Sequence, residues 1–162
     1  MENQKPPFHY HLVLVEPEIP PNTGNAGRLC VATQSTLHIA GTPGFSLDDK
    51  DVRRAGLDYW KHVDLKRHES FEKWLEWWGA GHGSSPFFLL SKKAKKSLFD
   101  VKFPKEAAFV FGKETLGLPE SLLDRYAEQS YNIPMFSPLI RSLNLSNAVS
   151  IVLYEAIRQN TR

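Results

Sequence analysis

A chain of 162 residues, 41% hydrophobic and 23% charged, has ordinary globular usage and is long enough to bury one sizeable core. Its net charge of +2 permits a nucleic-acid partner without demanding one. The single cysteine, Cys30, excludes an internal disulfide framework and a cysteine-based zinc site, and fits a reducing cytoplasm. No apolar run approaches the ~18 residues of a membrane span. The N-terminal "MENQKPPFHYH" carries neither a signal-peptide core nor an amphipathic targeting helix. One cytoplasmic domain over residues 1–162, with no membrane association, is the expectation.

In chain order, "HLVLVEP" (11–17) reads as a buried strand, and residues 23–34 as a helix capped by Asn22 or Thr23. "TLHIAG" (36–41) is a second strand. "SLDDKDVRRAG" (46–56) has a serine cap, early acids, late arginines and a closing Gly56, so it predicts a short helix whose charges suit its dipole. "KHVDLKRH" (61–68) alternates like a strand, and "SFEKWLEWWGAG" is a helix ended by glycine. "PFFLLS" (86–91) and "AAFVFG" (107–112) are strands, the second very apolar. A short helix "PESLLDRY", a short strand "SYNIPM" and a long helix over 142–159 complete the chain. Strands alternating with helices predict an α/β fold with a mainly parallel sheet covered by helices on both faces. Ligands of such sheets gather at the carboxyl ends of the strands. Three polar turns fall there, at 20–28, 112–119 and 134–144.

Several signatures are absent. "FGKETLG" lacks the earlier glycine and the following Ser/Thr of a P-loop, "TGNAG" is not GxGxxG, and there is no GxSxG elbow. "HYH" (9–11) presents two histidines on one side of an extended segment with no third ligand nearby, so it reads as a solvated tail and no metal ligand is assigned. Phe71, Trp74, Leu75 and Trp78 form a core-facing helical stripe, with Trp77 off it. "SKKAKKS" (91–97) is a solvated basic run unless it borders the site, where it would attract phosphates.

Three stretches carry more information. In "NTGNAGR", a helix start behind a strand offers free N–H groups to an anion. Asn22 and Arg28 face one side only if the first turn is distorted. In "FVFGKETLGLP", Glu114 is a carboxylate held in a glycine-flanked turn at a strand end. In "IPMFSPLIRSLNLSNAVSIVLYEAIRQ", Arg141 aims a cation at the same rim, and the following helix is apolar over most of its circumference, as if covered by its own sheet and a second subunit.

Together, in this order, "EPEIPPNTGNAGRLC", "DDKDVRRAGLDYW", "FGKETLGLP" and "IPMFSPLIRSLNLSNAVSIVLYEA" resemble the SpoU-type class of the SPOUT superfamily of RNA 2′-O-ribose methyltransferases. Among its members they are similar to the minimal enzymes acting on the wobble nucleotide, cytidine or modified uridine, of leucine tRNAs. The resemblance implies a C-terminal deep trefoil knot, which general topology rules would disfavour. It implies S-adenosylmethionine (S-adenosyl-L-methionine) held by loops that map to Leu90, Gly112, Ile133, Ser142 and Leu143. It implies a catalytic cluster at Asn22, Arg28, Glu114 and Asn144, with Ser142 beside it, and a homodimer with Tyr154 in an RNA-contacting neighbourhood. Arg28 and Arg141 are the other expected RNA contacts. The small Ala26 and Gly27 depart from the bulkier residues common in relatives, and Gly27 is expected to weaken the helix by ~1 kcal/mol relative to alanine. With no appended RNA-binding domain, tRNA recognition falls to the catalytic dimer's own surface. Two other readings are a ribosomal RNA methyltransferase of the same fold and a non-catalytic RNA-binding dimer.

A guanidinium stays protonated above pH ~12, so Arg28 is not expected to be a general base. Its expected role is to hold a phosphate and the ribose and to stabilise the developing alkoxide.

Overall fold

The computed structural model describes residues 4–48, 50, 52, 54 and 57–161. Seven strands form one sheet: β1 (His9–Val15), β2 (Thr36–Ala40), β3 (Leu65–His68), β4 (Phe87–Leu90), β5 (Lys96–Ser97), β6 (Glu106–Phe111) and β7 (Ser130–Asn132). Their order is β3-β2-β1-β6-β4-β7-β5, and every pairing is parallel. The helices are α1 (Pro20–Thr33), α2 (Phe71–His82), α3 (Glu120–Arg125) and α4 (Leu145–Asn160). The expected α/β class, with a parallel sheet covered on both faces, is what the chain adopts.

Strand alternation sorts the core into two layers. Tyr10, Leu12 and Leu14 of β1 join Phe109 and Phe111 of β6 under α1 and α4. Val13 and Val15 face the other way, with Val110 and Leu89, under Phe71, Trp74 and Trp78 of α2. The tryptophan stripe is therefore core, as its spacing predicts, and Ser70 caps α2 by accepting from the Lys73 N–H.

Differences from the sequence reading have local causes. Helix α1 begins at Pro20, with prolines at its first two positions, where a missing N–H costs no hydrogen bond. Its N-cap is Ile19 and no side chain of its own caps it, so neither Asn22 nor Thr23 is the cap. The stretch 61–68 is a strand only from Leu65; a 3-10 helix, Leu57–His62, precedes it, with Asp58 in its first turn and Lys61 and His62 in its last. The helix expected over 46–56 falls partly outside the described residues, Gly56 included; positions 50, 52 and 54 are helical. Helix α4 starts at Leu145, and residues 142–144 belong to the preceding loop. Gly27 has a packing reason: a Cβ there would lie 2.6 Å from Cζ3 of Trp60, so only glycine lets the indole close against α1.

"HYH" is not a solvated tail. His9 opens the central strand β1, and His11 is buried under α2. His11 Nδ1 lies 2.9 Å from His38 Nε2, and His38 Nδ1 lies 2.9 Å from His68 Nε2. Trp77, half-buried, covers this row, its ring centroid 5.0 Å from that of His38 and 5.5 Å from that of His68. Burial disfavours the charged imidazoles, pulling His11 down to about 3 and His38 to about 2.

Candidate active site

The carboxyl ends of β1, β4, β6 and β7 open onto one cavity of about 530 Å³, within the roughly 300–1,000 Å³ usual for small-molecule and cofactor sites. Asn22, Glu114, Ser142 and Asn144 all line it. So do Leu90, Gly112, Ile133 and Leu143. Segments from four parts of the chain thus converge as the three polar turns suggested.

Glu114 organises the rim. Its Oε2 accepts from the Glu18 N–H at 2.8 Å, and its Oε1 from the Ile19 N–H at 3.1 Å and Asn22 Nδ2 at 3.3 Å. A carboxylate from a distant loop therefore sits at the start of α1, where the helix has free N–H groups and positive potential. Thr115 adds a hydrogen bond from Oγ1 to Glu18 at 2.7 Å, and Lys113 pairs with Glu16 at 3.3 Å. Asn22, 4% exposed, uses its amide to hold Glu114 rather than to cap its own helix.

Gly112 opens the 112–119 turn. A Cβ there would fall 2.1 Å from the Gly117 carbonyl carbon, so the turn doubles back on itself at a distance only glycine allows. On the opposite wall, Asn144 caps α4: its Oδ1 accepts from the Ser146 N–H at 2.9 Å and the Ser146 hydroxyl at 2.6 Å. It is a cap and a cavity-lining residue at once. Lys92 and Lys93 line the same cavity, so part of the basic run does border the site; Lys93 is paired with Glu120 at 3.0 Å.

Arg28 does not line the cavity. Helix α1 is regular from Pro20, so the six residues from Asn22 turn the side chain by about 240°. Its guanidinium lies over the Tyr59 ring, 5.2 Å from the centroid, and is exposed. Arg141 and Tyr154 are also exposed and outside the cavity wall. The sequence reading missed a cluster at the other end of the sheet, where His11, His82 and Glu106 come together.

The donor set fits a sulfonium nucleoside such as S-adenosylmethionine. Leu90, Ile133 and Leu143 give apolar walls, Ser142 and Glu114 give acceptors, and residues 133–144 form neither helix nor strand, leaving backbone groups for a ligand.

Residues 9–154 match the model of the SpoU rRNA methylase family, and the chain belongs to that family of methyltransferases. It is 47% identical over 150 residues to the tRNA (cytidine(34)-2′-O)-methyltransferase of Escherichia coli strain K12, covering 92% of each chain. It is 45% identical over 152 residues to a protein of Listeria monocytogenes serotype 4b, strain F2365, called a "Putative tRNA (cytidine(34)-2'-O)-methyltransferase", covering 92% of this chain and 87% of that one. A solved structure described as "Structural insights into the 2-OH methylation of C/U34 on tRNA" matches with a TM-score of 0.89 and 43% identity, over 96% of this chain and 98% of that one. The fold is also shared, with a TM-score of 0.84 at 23% identity, over 98% of this chain and 60% of that one, by the SpoU methyltransferase AviRb of Streptomyces viridochromogenes in complex with AdoMet.

Proposed function

We propose that the protein methylates the ribose 2′-hydroxyl of the wobble nucleotide, cytidine or modified uridine, in leucine tRNAs, using S-adenosylmethionine. The observation that carries this reading is the convergence of Asn22, Glu114, Ser142 and Asn144 on one cavity with Leu90, Gly112, Ile133 and Leu143. The relatives named for cytidine 34 methylation support the tRNA substrate. The preference for leucine tRNAs rests on the sequence motifs.

The cofactor supplies a methyl group already activated on a positively charged sulfur. The protein's task is to set the ribose oxygen in line and to ease loss of its proton. Gly112, Ile133, Ser142 and Leu143 hold the cofactor from the two loops, with Leu90 below. Glu114 fixes the start of α1 and keeps the Asn22 amide in place; Asn144 orients the sugar. Arg28 holds an RNA phosphate and stabilises the developing alkoxide, and the proton leaves to a substrate phosphate or water. Arg141 and Tyr154 contact RNA beside it.

Arg28 stands outside the cavity of its own chain, which suits a homodimer in which the site is completed across the interface. Helix α4 and the loop before it leave Ile151, Tyr154, Leu139 and Ile140 at 39%, 51%, 88% and 57% exposure, apolar surface for that interface. A deep trefoil knot is part of the proposal. It is supported by β7 lying between β4 and β5, two strands joined only by residues 91–95.

Leucine tRNA with an unmodified wobble ribose, incubated with the protein and methyl-labelled cofactor, tests the reading by nuclease digestion and mass spectrometry. A methyl on the ribose at position 34 is expected. Labelling of ribosomal RNA alone, or cofactor binding without turnover on any tRNA, overturns it.

A further inference from the structure

The amino-terminal rim of the sheet carries a second constellation, which methyl transfer does not use. His11 of β1, His82 at the end of α2 and Glu106 at the start of β6 each bring one ligand atom to within 4.8 Å of the others. Parallel register does the assembly: Glu106 stands opposite His9 and Ala108 opposite His11, so the carboxylate and the imidazole sit two residues apart along neighbouring strands. The end of α2 lays His82 over them, its ring centroid 4.9 Å from that of His11.

The buried imidazole is incomplete. His11 is 3% exposed, and its Nε2 has no hydrogen-bond partner among the described residues. The row of imidazoles allows two proton arrangements. With protons on Nδ1, His11 donates to His38 and His38 to His68, leaving a bare lone pair on His11 Nε2. With the row reversed, His11 Nε2 becomes a buried donor with no acceptor. Both leave a polar atom unpaired where pairing is the rule. A metal ion on Nε2 completes the first arrangement, and the Nδ1–H bond to His38 is then the outer contact that orients a metal-bound histidine.

We propose that His11, His82 and Glu106 form a zinc site at the amino-terminal rim of the sheet, with water as fourth ligand. Two imidazoles and one carboxylate are a zinc donor set, and three protein ligands leave one position open. His82 Nδ1 and Glu106 Oε1 are 2.7 Å apart, the length of a hydrogen bond. Ligands on a tetrahedral zinc stand roughly 3.3 Å apart. The ion therefore replaces the shared proton, which is released to solvent, and the pair opens slightly. It is free to do so, since the two side chains are 24% and 45% exposed, which also gives the ion its way in. Trp77 flanks the site, its ring centroid 5.0 Å from that of His82. The ion ties β1, α2 and β6 together at the end of the sheet opposite the cavity, so its role is structural.

The test uses the full chain without an affinity tag, stripped with chelator and titrated with zinc chloride by calorimetry, with cobalt(II) absorption as a report of coordination. Expected are one ion per chain, visible bands of four-coordinate cobalt, and a melting temperature raised by zinc. Glu106→Gln and His82→Ala, at the half-exposed ligands, should each weaken binding at least tenfold and abolish the thermal shift. His11→Asn should do the same where it folds; the two half-exposed variants decide the matter where it does not. No stoichiometric binding, or binding that both variants leave intact, overturns the proposal.

Discussion

The two rims of the sheet gather polar side chains by different routes. At the carboxyl rim they come from turns: Asn22 follows β1, Glu114 follows β6, and Ser142 and Asn144 follow β7. At the amino rim they come from the elements themselves: His11 and His38 are strand residues, and His82 ends a helix. The carboxyl rim is held by hydrogen bonds between loops, centred on Glu114, and opens on a cavity. The amino rim is packed under Trp74, Trp77 and Trp78 and is part of the core. One end of the sheet is built to admit a ligand, and the other is built into the stability of the fold.

Trp74→Ala is the sharpest way to separate them. The indole is fully buried, stacked on Phe71 and Trp78 with centroids 5.5 Å away in both cases. Its loss should destabilise the fold by about 3–5 kcal/mol in denaturant titration. The folded fraction should bind cofactor as before. A changed cofactor affinity would mean that the two rims are coupled.

Arg28→Ala is the converse. The side chain is exposed and its contact is a cation–π approach to Tyr59, so stability should hold. Methyl transfer should fall by on the order of 10²–10³-fold, as for loss of a group stabilising developing charge. Calorimetry should find cofactor affinity unchanged, because Arg28 lies outside the cavity. Retained turnover would remove Arg28 from the chemistry.

Glu114→Gln touches the carboxyl rim in both respects. The amide keeps one acceptor oxygen but loses the charge that faces the Glu18 and Ile19 N–H groups at the start of α1. A loss of about 1–2 kcal/mol in stability is expected from weakened charge-assisted hydrogen bonds. Turnover should fall as Asn22 loosens. Unchanged stability would show that the carboxylate does not hold α1.

How much of each rim was legible in the sequence follows from the same contrast. Turn residues stand out because a polar, glycine-bearing stretch interrupts apolar runs, as "GKETLG" does behind "FVF". Their convergence on one rim follows from parallel strands. The amino rim was illegible because His11 and His38 sit inside apolar strands and His82 in a glycine-rich helix end. Only the register of β1 on β6 and the path of α2 bring them together. The orientation of Arg28 was misjudged for a smaller reason: the helix starts at Pro20, so its first turns are regular and carry Asn22 and Arg28 to different sides.

Helix α4 spans the two rims, from Asn144 at the cavity to Asn160, whose amide donates to the Tyr10 hydroxyl at 2.9 Å. Near its far end, Glu155 accepts from Arg158 Nε at 2.9 Å and Nη2 at 2.8 Å, and from Gln159 at 2.8 Å. The bidentate guanidinium holds the carboxyl at about 2, below its ordinary 4.5. The folded state thus binds this proton less readily than the unfolded chain does. The pair's contribution is therefore complete above pH 4.5 and is lost as pH falls through about 2. Arg158→Ala should lower the melting temperature by a small, constant amount near neutral pH. The gap from the unaltered protein should narrow below pH 4.5 and close near pH 2. A gap that stays constant through that range would assign the effect to packing of the arginine stem rather than to its charge.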